Sequence, residues 1–134
     1  MTHSTSGRDG VVLDASAVLA WLRDEPGASV VDPLLDGGVV STVNWSEIWQ
    51  KLDQRGVDAD RATRRLRVLG VGVQPLTVED AVTAAQFWDR TRKVGLSLGD
   101  RCCLALAARL KRPAVTADTA WADLDLDLTV RTIR

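Results

Sequence analysis

Apolar positions along the 134-residue chain fall into short continuous runs that alternate with stretches of helical spacing. The run Val11, Val12, Leu13 has the pattern of a strand buried on both faces. Helix is predicted over Ala15–Arg23 and ends at Glu25, Pro26 and Gly27. A second helix follows over Ala28–Leu35, with Pro33 set to kink or split it. Gly37 and Gly38 punctuate before a strand at Val39–Ser41. Trp45, Ile48, Trp49 and Leu52 then fall at i, i+3, i+4 and i+7, one face of an amphipathic helix ending near Gly56. Asp58 can cap the next helix, whose apolar line is Ala62, Leu66 and Leu69. A strand is expected around Val73–Leu76. Thr77 and Asp80 form a capping-box signal for a long helix carrying Val78, Val82, Ala85 and Trp88. Ser97 and Asp100 repeat that signal before a helix to about Lys111. The chain closes with a strand at Pro113–Thr116, a short helix at Thr119–Leu124 and a last strand at Leu128–Ile133. Strands alternating with helices predict an α/β fold whose parallel sheet is covered on both faces.

Four acids break this pattern. Asp14 ends the first apolar run, Glu47 sits beside the apolar line of its helix, Asp100 opens the stretch Cys102–Ala108, and Asp118 follows Pro113–Ala117. A carboxylate beside apolar sequence takes up a proton or acquires a partner. Singly, Asp14 and Asp118 read equally well as N-caps, and Asp100 as the acid of its capping box. Glu47 has no such role, and the chain contains only three glutamates, so surface decoration explains it poorly. Asp14 and Asp118 both lie just past the carboxyl ends of predicted strands, where open α/β sheets place their sites. Several clustered carboxylates cannot all stay ionised without a cation, and hard oxygen ligands suit Mg²⁺ or Mn²⁺. Metal-assisted phosphodiester hydrolysis is therefore the leading chemistry. The single histidine, His3, excludes a histidine-based triad, and Leu13–Ala17 contains no glycine for a phosphate loop. Ser16 has two readings, a hydrogen bond to a metal ligand or phosphate and a helix cap.

Size and charge refine the picture. At 46% hydrophobic the chain fits one domain over residues 10–134, with residues 1–9 as a disordered tail. No membrane-length apolar stretch or export signal is present, which points to the cytoplasm. Cys102 and Cys103 are adjacent on a predicted helix, so neither a bridge between them nor a zinc site is expected. Net charge is −1, but residues 1–47 carry two basic and seven acidic side chains, and residues 48–112 thirteen basic and seven acidic. Arg61, Arg64 and Arg65 share a helical face that reads either as phosphate contacts or as solvated surface.

Four segments carry a family resemblance. Val12–Leu22 (VLDASAVLAWL) resembles the opening motif of PIN-domain ribonucleases, specifically VapC toxins. Asn44–Ile48 (NWSEI), Leu98–Ala107 (LGDRCCLALA) and Val115–Trp121 (VTADTAW) are similar to the second, third and fourth motifs, in order. The match spans about residues 11 to 133. It implies a PIN-like three-layer α/β/α sandwich with a five-stranded parallel sheet. It also implies endoribonuclease activity dependent on Mg²⁺ or Mn²⁺, a homodimer, and inhibition by a small VapB-like antitoxin protein. Asp14, Glu47, Asp100 and Asp118 would form its acidic cluster, with Ser16 and Thr116 as neighbouring hydroxyls and Asp123 as an outer acid or a surface charge. Thr119 stands where the family often has a basic residue, and Pro33 interrupts a helix that is usually smoother. Two alternatives share the fold: a degenerate PIN domain that binds RNA or protein without cutting, and a DNA- or structure-specific nuclease. Trp21, Trp45, Trp49 and Trp88 are a heavy aromatic load for 14.5 kDa, and part of that surface is expected to meet a second copy or an antitoxin helix.

Overall fold

Apolar runs too short for helix become the strands of one parallel sheet in the computed structural model, which describes residues 10–134. The expected tail, residues 1–9 with His3, lies outside the described residues. The strands are β1 (Val12–Leu13), β2 (Val39–Ser41), β3 (Gly72–Gln74), β4 (Ala114–Thr116) and β5 (Val130–Thr132), in the order β3-β2-β1-β4-β5. Val12 pairs with Val39 on one side and Ala114 on the other, which puts β1 at the centre. The helices are α1 (Ala15–Leu22), α2 (Ala28–Val31), α3 (Thr42–Gln54), α4 (Ala59–Val68), α5 (Val78–Gln86), α6 (Trp88–Thr91) and α7 (Leu98–Leu110).

The three expected layers are present. Val11 and Leu13 join one core with α1, Val31, Ile48, Leu52 and Leu66. Val12 points the other way, into a second core with Cys103, Leu104, Leu106 and the fully buried Trp121. Strand residues covered on both sides need no polar alternation, which is why β1 reads as an unbroken apolar run and β2 opens with Val39 and Val40. Burying each such Val or Leu contributes about 1.5–3 kcal/mol. Residues Cys102–Ala107 of α7 are all buried, because α5 packs on the face that the sheet does not cover. Cys102 and Cys103 are both buried, with free thiols.

Pro33 splits its segment as expected: α2 ends at Val31 and a 3-10 turn runs over Asp32–Leu34. Other expectations need correction. The long helix from Val78 breaks at Phe87, and its apolar line faces outward. Val78, Val82 and Trp88 are 84%, 51% and 52% exposed, while the buried residues of α5 are Asp80 and Ala84. The cause is an ion pair: Arg109 of α7 donates to both oxygens of Asp80, at 2.8 and 3.1 Å, and so turns that edge of α5 inward. The segment Thr119–Asp123 is 3-10 rather than α-helix, and several strands are shorter than their apolar runs.

The sheet order sets the location of any site. From β1 the chain moves outward through β2 to β3, then returns to lay β4 against the opposite edge of β1. The crevice at the carboxyl ends of β1 and β4 is thus the topological switch point, where open parallel sheets bind ligands.

Candidate active site

Asp14 is the first residue past β1 and serves as the N-cap of α1, yet its side chain caps nothing. It is 3% exposed. Instead its Oδ2 accepts the Ser16 hydroxyl at 2.6 Å and the Thr116 hydroxyl, from the end of β4, at 3.0 Å. Ser16 Oγ also takes the backbone N–H of Ala117 at 3.0 Å, and Thr116 Oγ1 takes that of Asp118 at 3.1 Å. Ser16 does not cap its helix: its hydroxyl crosses the switch point and fixes one oxygen of Asp14.

Burial pushes the Asp14 carboxyl up to about 6. The Ser16 and Thr116 hydroxyls pull it down, and the negative charges of Asp100 and Glu47 push it further up. The same three acids act on Cys103 beneath them, whose thiol is raised well above its usual range, first by burial and then by Asp14, Asp100 and Glu47. Such a thiol is packing, not a nucleophile.

Glu47 lies on α3 and reaches α7. Asn44, one turn earlier, donates to its Oε1 at 2.7 Å, and the carboxylate lies over Gly99 in the first turn of α7. Asp100, the next residue, closes a capping box: its Oδ2 accepts the Ser97 N–H at 2.9 Å, and its own N–H donates to Ser97 Oγ at 3.1 Å. Asp100 thus caps its helix while its negative charge also acts on Asp14. The α1 and α7 N-termini both face these acids, and their dipoles offset part of the carboxylate repulsion.

Asp118 stands apart. It is exposed, its Oδ1 accepts the Ala120 N–H at 3.0 Å as the cap of its 3-10 turn, and it is not among the charges that act on Asp14. It occupies the same rim, joined to Asp14 through Thr116. Asp123 is exposed at the end of that turn. The arginines divide as well. Arg64 pairs with Asp60, Arg65 sits 5.0 Å over the Trp21 ring, and Arg61 and Arg65 line a cleft of about 740 Å³ with Arg23 and Arg55.

Among the described residues, no three His, Cys, Asp or Glu side chains form a ready-made ligand set. The donor chemistry nevertheless fits a hard cation. Each of the four acids has one oxygen held by a protein donor and a second, Asp14 Oδ1, Glu47 Oε2, Asp100 Oδ1 or Asp118 Oδ2, free of hydrogen bonds among the described residues. Mg²⁺ needs only one or two carboxylates and fills its octahedron with water and substrate oxygens.

Asp14 gives a pH test. Its native pKa is raised, so between its ordinary value of 3.8 and about 6 the folded state binds more protons than the unfolded state. Metal-free protein should gain stability as pH falls from 7.5 to 5, and Asp14→Asn should flatten that slope. Asp80, lowered by the Arg109 hydrogen bonds against the opposing effect of burial, works in the other sense and only below about 3.8. Chemical denaturation across this range reads the slope, and an identical profile in the mutant would contradict the burial of a charged Asp14.

A parallel sheet with acidic side chains at the carboxyl ends of its central strands is the arrangement this chain presents. The PIN domain model matches residues 11–126, and the chain belongs to that family. No curated protein sequence matches it. Solved structures share its fold at low identity. A chain of a toxin–antitoxin complex from Klebsiella pneumoniae aligns with a TM-score of 0.74 at 14% identity, covering 93% of this chain and 98% of that one. FitAcB from Neisseria gonorrhoeae aligns at 0.68 and 19%, covering 92% and 97%. Mycobacterium tuberculosis VapC20, described as a sarcin–ricin loop cleaving toxin, aligns at 0.63 and 16%, covering 86% and 96%.

Proposed function

We propose that the protein is the toxin of a VapBC-type toxin–antitoxin pair, a cytoplasmic endoribonuclease that hydrolyses RNA phosphodiester bonds with Mg²⁺ or Mn²⁺. The observation that carries this reading is Asp14: a buried carboxylate, oriented by two hydroxyls, under the charges of Asp100 and Glu47. Membership of the PIN family and the toxin–antitoxin identity of fold neighbours support it.

Asp14, Glu47, Asp100 and Asp118 would hold the cation through their free oxygens. Once bound, a divalent cation makes water a stronger acid and screens negative charge on the scissile phosphate. The chain's own contribution is orientation. Ser16 and Thr116 fix Asp14, Asn44 fixes Glu47, and Ser97 fixes Asp100. Asp123 is assigned no role. Arg61 and Arg65 are assigned to phosphate contacts, whereas Arg64 is engaged by Asp60. A homodimer and a small VapB-like antitoxin would cover exposed apolar surface that includes Trp49 and Trp88, 40% and 52% exposed. Among the described residues no helix is long and apolar enough to cross a membrane.

Brief induction in cells followed by a global map of RNA 5′ ends tests this reading. Wild type should create new ends that vanish on co-expression with the small protein of the adjacent reading frame. Ends that persist unchanged with Asp100→Asn would refute the assignment.

A further inference from the structure

Asn44 is fully buried in the first turn of α3, where a polar side chain has to be satisfied entirely by protein. Its Oδ1 accepts the Ser41 hydroxyl at 2.7 Å, which ties it to the end of β2. Both amide protons are committed: Nδ2 donates to Glu47 Oε1 at 2.7 Å and to the Gly99 carbonyl at 3.0 Å, a residue 55 positions away on α7. One side chain therefore grips the acid and the element the acid lies against.

Gly99 completes the arrangement from the other side. A Cβ there would fall 2.5 Å from Glu47 Oε2 and 2.7 Å from both Cδ and Oε1. No side chain fits between the Gly99 backbone and the carboxylate, so the acid occupies the space a side chain would take. Gly99 is also buried and helical, at a position where its conformational freedom is otherwise a disadvantage. The close approach of Glu47 accounts for it.

We propose that Asn44 and Gly99 are positioning residues for Glu47, the first gripping one carboxylate oxygen and the second providing the berth that directs the other into the acidic cluster. The proposal rests on the metal-site reading given above. An unheld glutamate would sample many rotamers on the surface of α3, and a charge held in one place by its neighbours meets its ligand without that ordering cost. The berth lies beside the α7 N-terminus, whose dipole favours a negative charge.

Gly99→Ala tests the berth without threatening the fold, because what must move is the far end of a flexible side chain. Metal-free melting temperature should change little, because the better helix propensity of alanine offsets the hydrogen bond that Asn44 loses as Glu47 moves. Mn²⁺ affinity, read from the Mn²⁺-dependent thermal shift, should weaken at least about tenfold, the scale on which oriented ligands respond to loss of their support. On an RNA substrate kcat should fall while KM is unchanged. In a Glu47→Gln background, Gly99→Ala should add nothing, as expected of a residue that acts through Glu47. Leu98→Ala, at an exposed neighbour in the same turn, is the control. Asn44→Ser should weaken Mn²⁺ binding in the same way with a lower melting temperature; should it not fold, Gly99→Ala alone decides. Wild-type Mn²⁺ affinity in Gly99→Ala, or an undiminished effect in the Glu47→Gln background, overturns the berth and leaves the metal site standing. Absence of Mn²⁺ binding by wild type overturns both.

Discussion

Asp14→Asn should remove RNA cleavage and make the metal-free protein more stable at the same time. Asparagine keeps an oxygen for the Ser16 and Thr116 hydroxyls, so the crossing between β1 and β4 survives. What disappears is a charge that burial disfavours. A rise in pKa from 3.8 to about 6 corresponds to roughly 3 kcal/mol at neutral pH, an upper bound on the gain. For cleavage the loss should exceed about a hundredfold, beyond the ten- to hundredfold typical of outer-shell partners. Most core substitutions lose stability along with activity; this one should separate the two. A mutant less stable than wild type at pH 7 without metal would mean that Asp14 serves the fold. A mutant that cuts RNA at the wild-type rate would mean that it does not serve the chemistry.

The second large effect concerns the cation. A ligand that binds only the native state stabilises it by RT ln(1 + [L]/Kd), about 2.7 kcal/mol at a concentration one hundred times Kd. Mn²⁺ should therefore raise the melting temperature and reverse the pH response. Metal-free protein gains stability as pH falls toward 5. The metal-loaded protein should lose it, because protons and cation compete for the same carboxylates. Asp100→Asn should shrink the shift strongly and Asp118→Asn less, since Asp100 acts on Asp14 whereas Asp118 is exposed and capping its own turn. Equal shifts in wild type and both mutants would place the cation elsewhere.

The parts of this site that were legible in sequence are those fixed by local pattern. Asp14 announces itself by ending an apolar run, and the strand–helix alternation alone sets it with Asp118 on the rim at the carboxyl ends of the strands. Asp100 was legible as a capping-box acid, and the structure adds that its charge acts on Asp14 while it caps. The residues that orient the acids were harder to see. Asn44 and Gly99 matter because α3 meets α7 across 55 positions, a distance no helical or strand period spans. A signal was nonetheless present: Ser41, Asn44 and Glu47 recur at threefold spacing beside an apolar line, where three polar side chains imply a shared network. The misread face of α5 has the same origin. Val78, Val82, Ala85 and Trp88 satisfy helical spacing, but the Asp80–Arg109 pair, 29 positions apart, decides which side is buried. Periodicity identifies an apolar stripe without showing whether the core covers it, and exposed Trp88 is left uncovered by this chain's core.

Cleavage of RNA by the purified chain is the property on which the acidic site is most directly tested. The decisive measurement incubates wild type and Asp100→Asn with an RNA and a DNA of the same sequence, in Mn²⁺ and in chelator. Cutting of the RNA alone, by wild type alone and only with Mn²⁺, is the result the acidic site predicts. RNA cleavage that persists in chelator or in Asp100→Asn, or its absence from wild type with Mn²⁺, would contradict it.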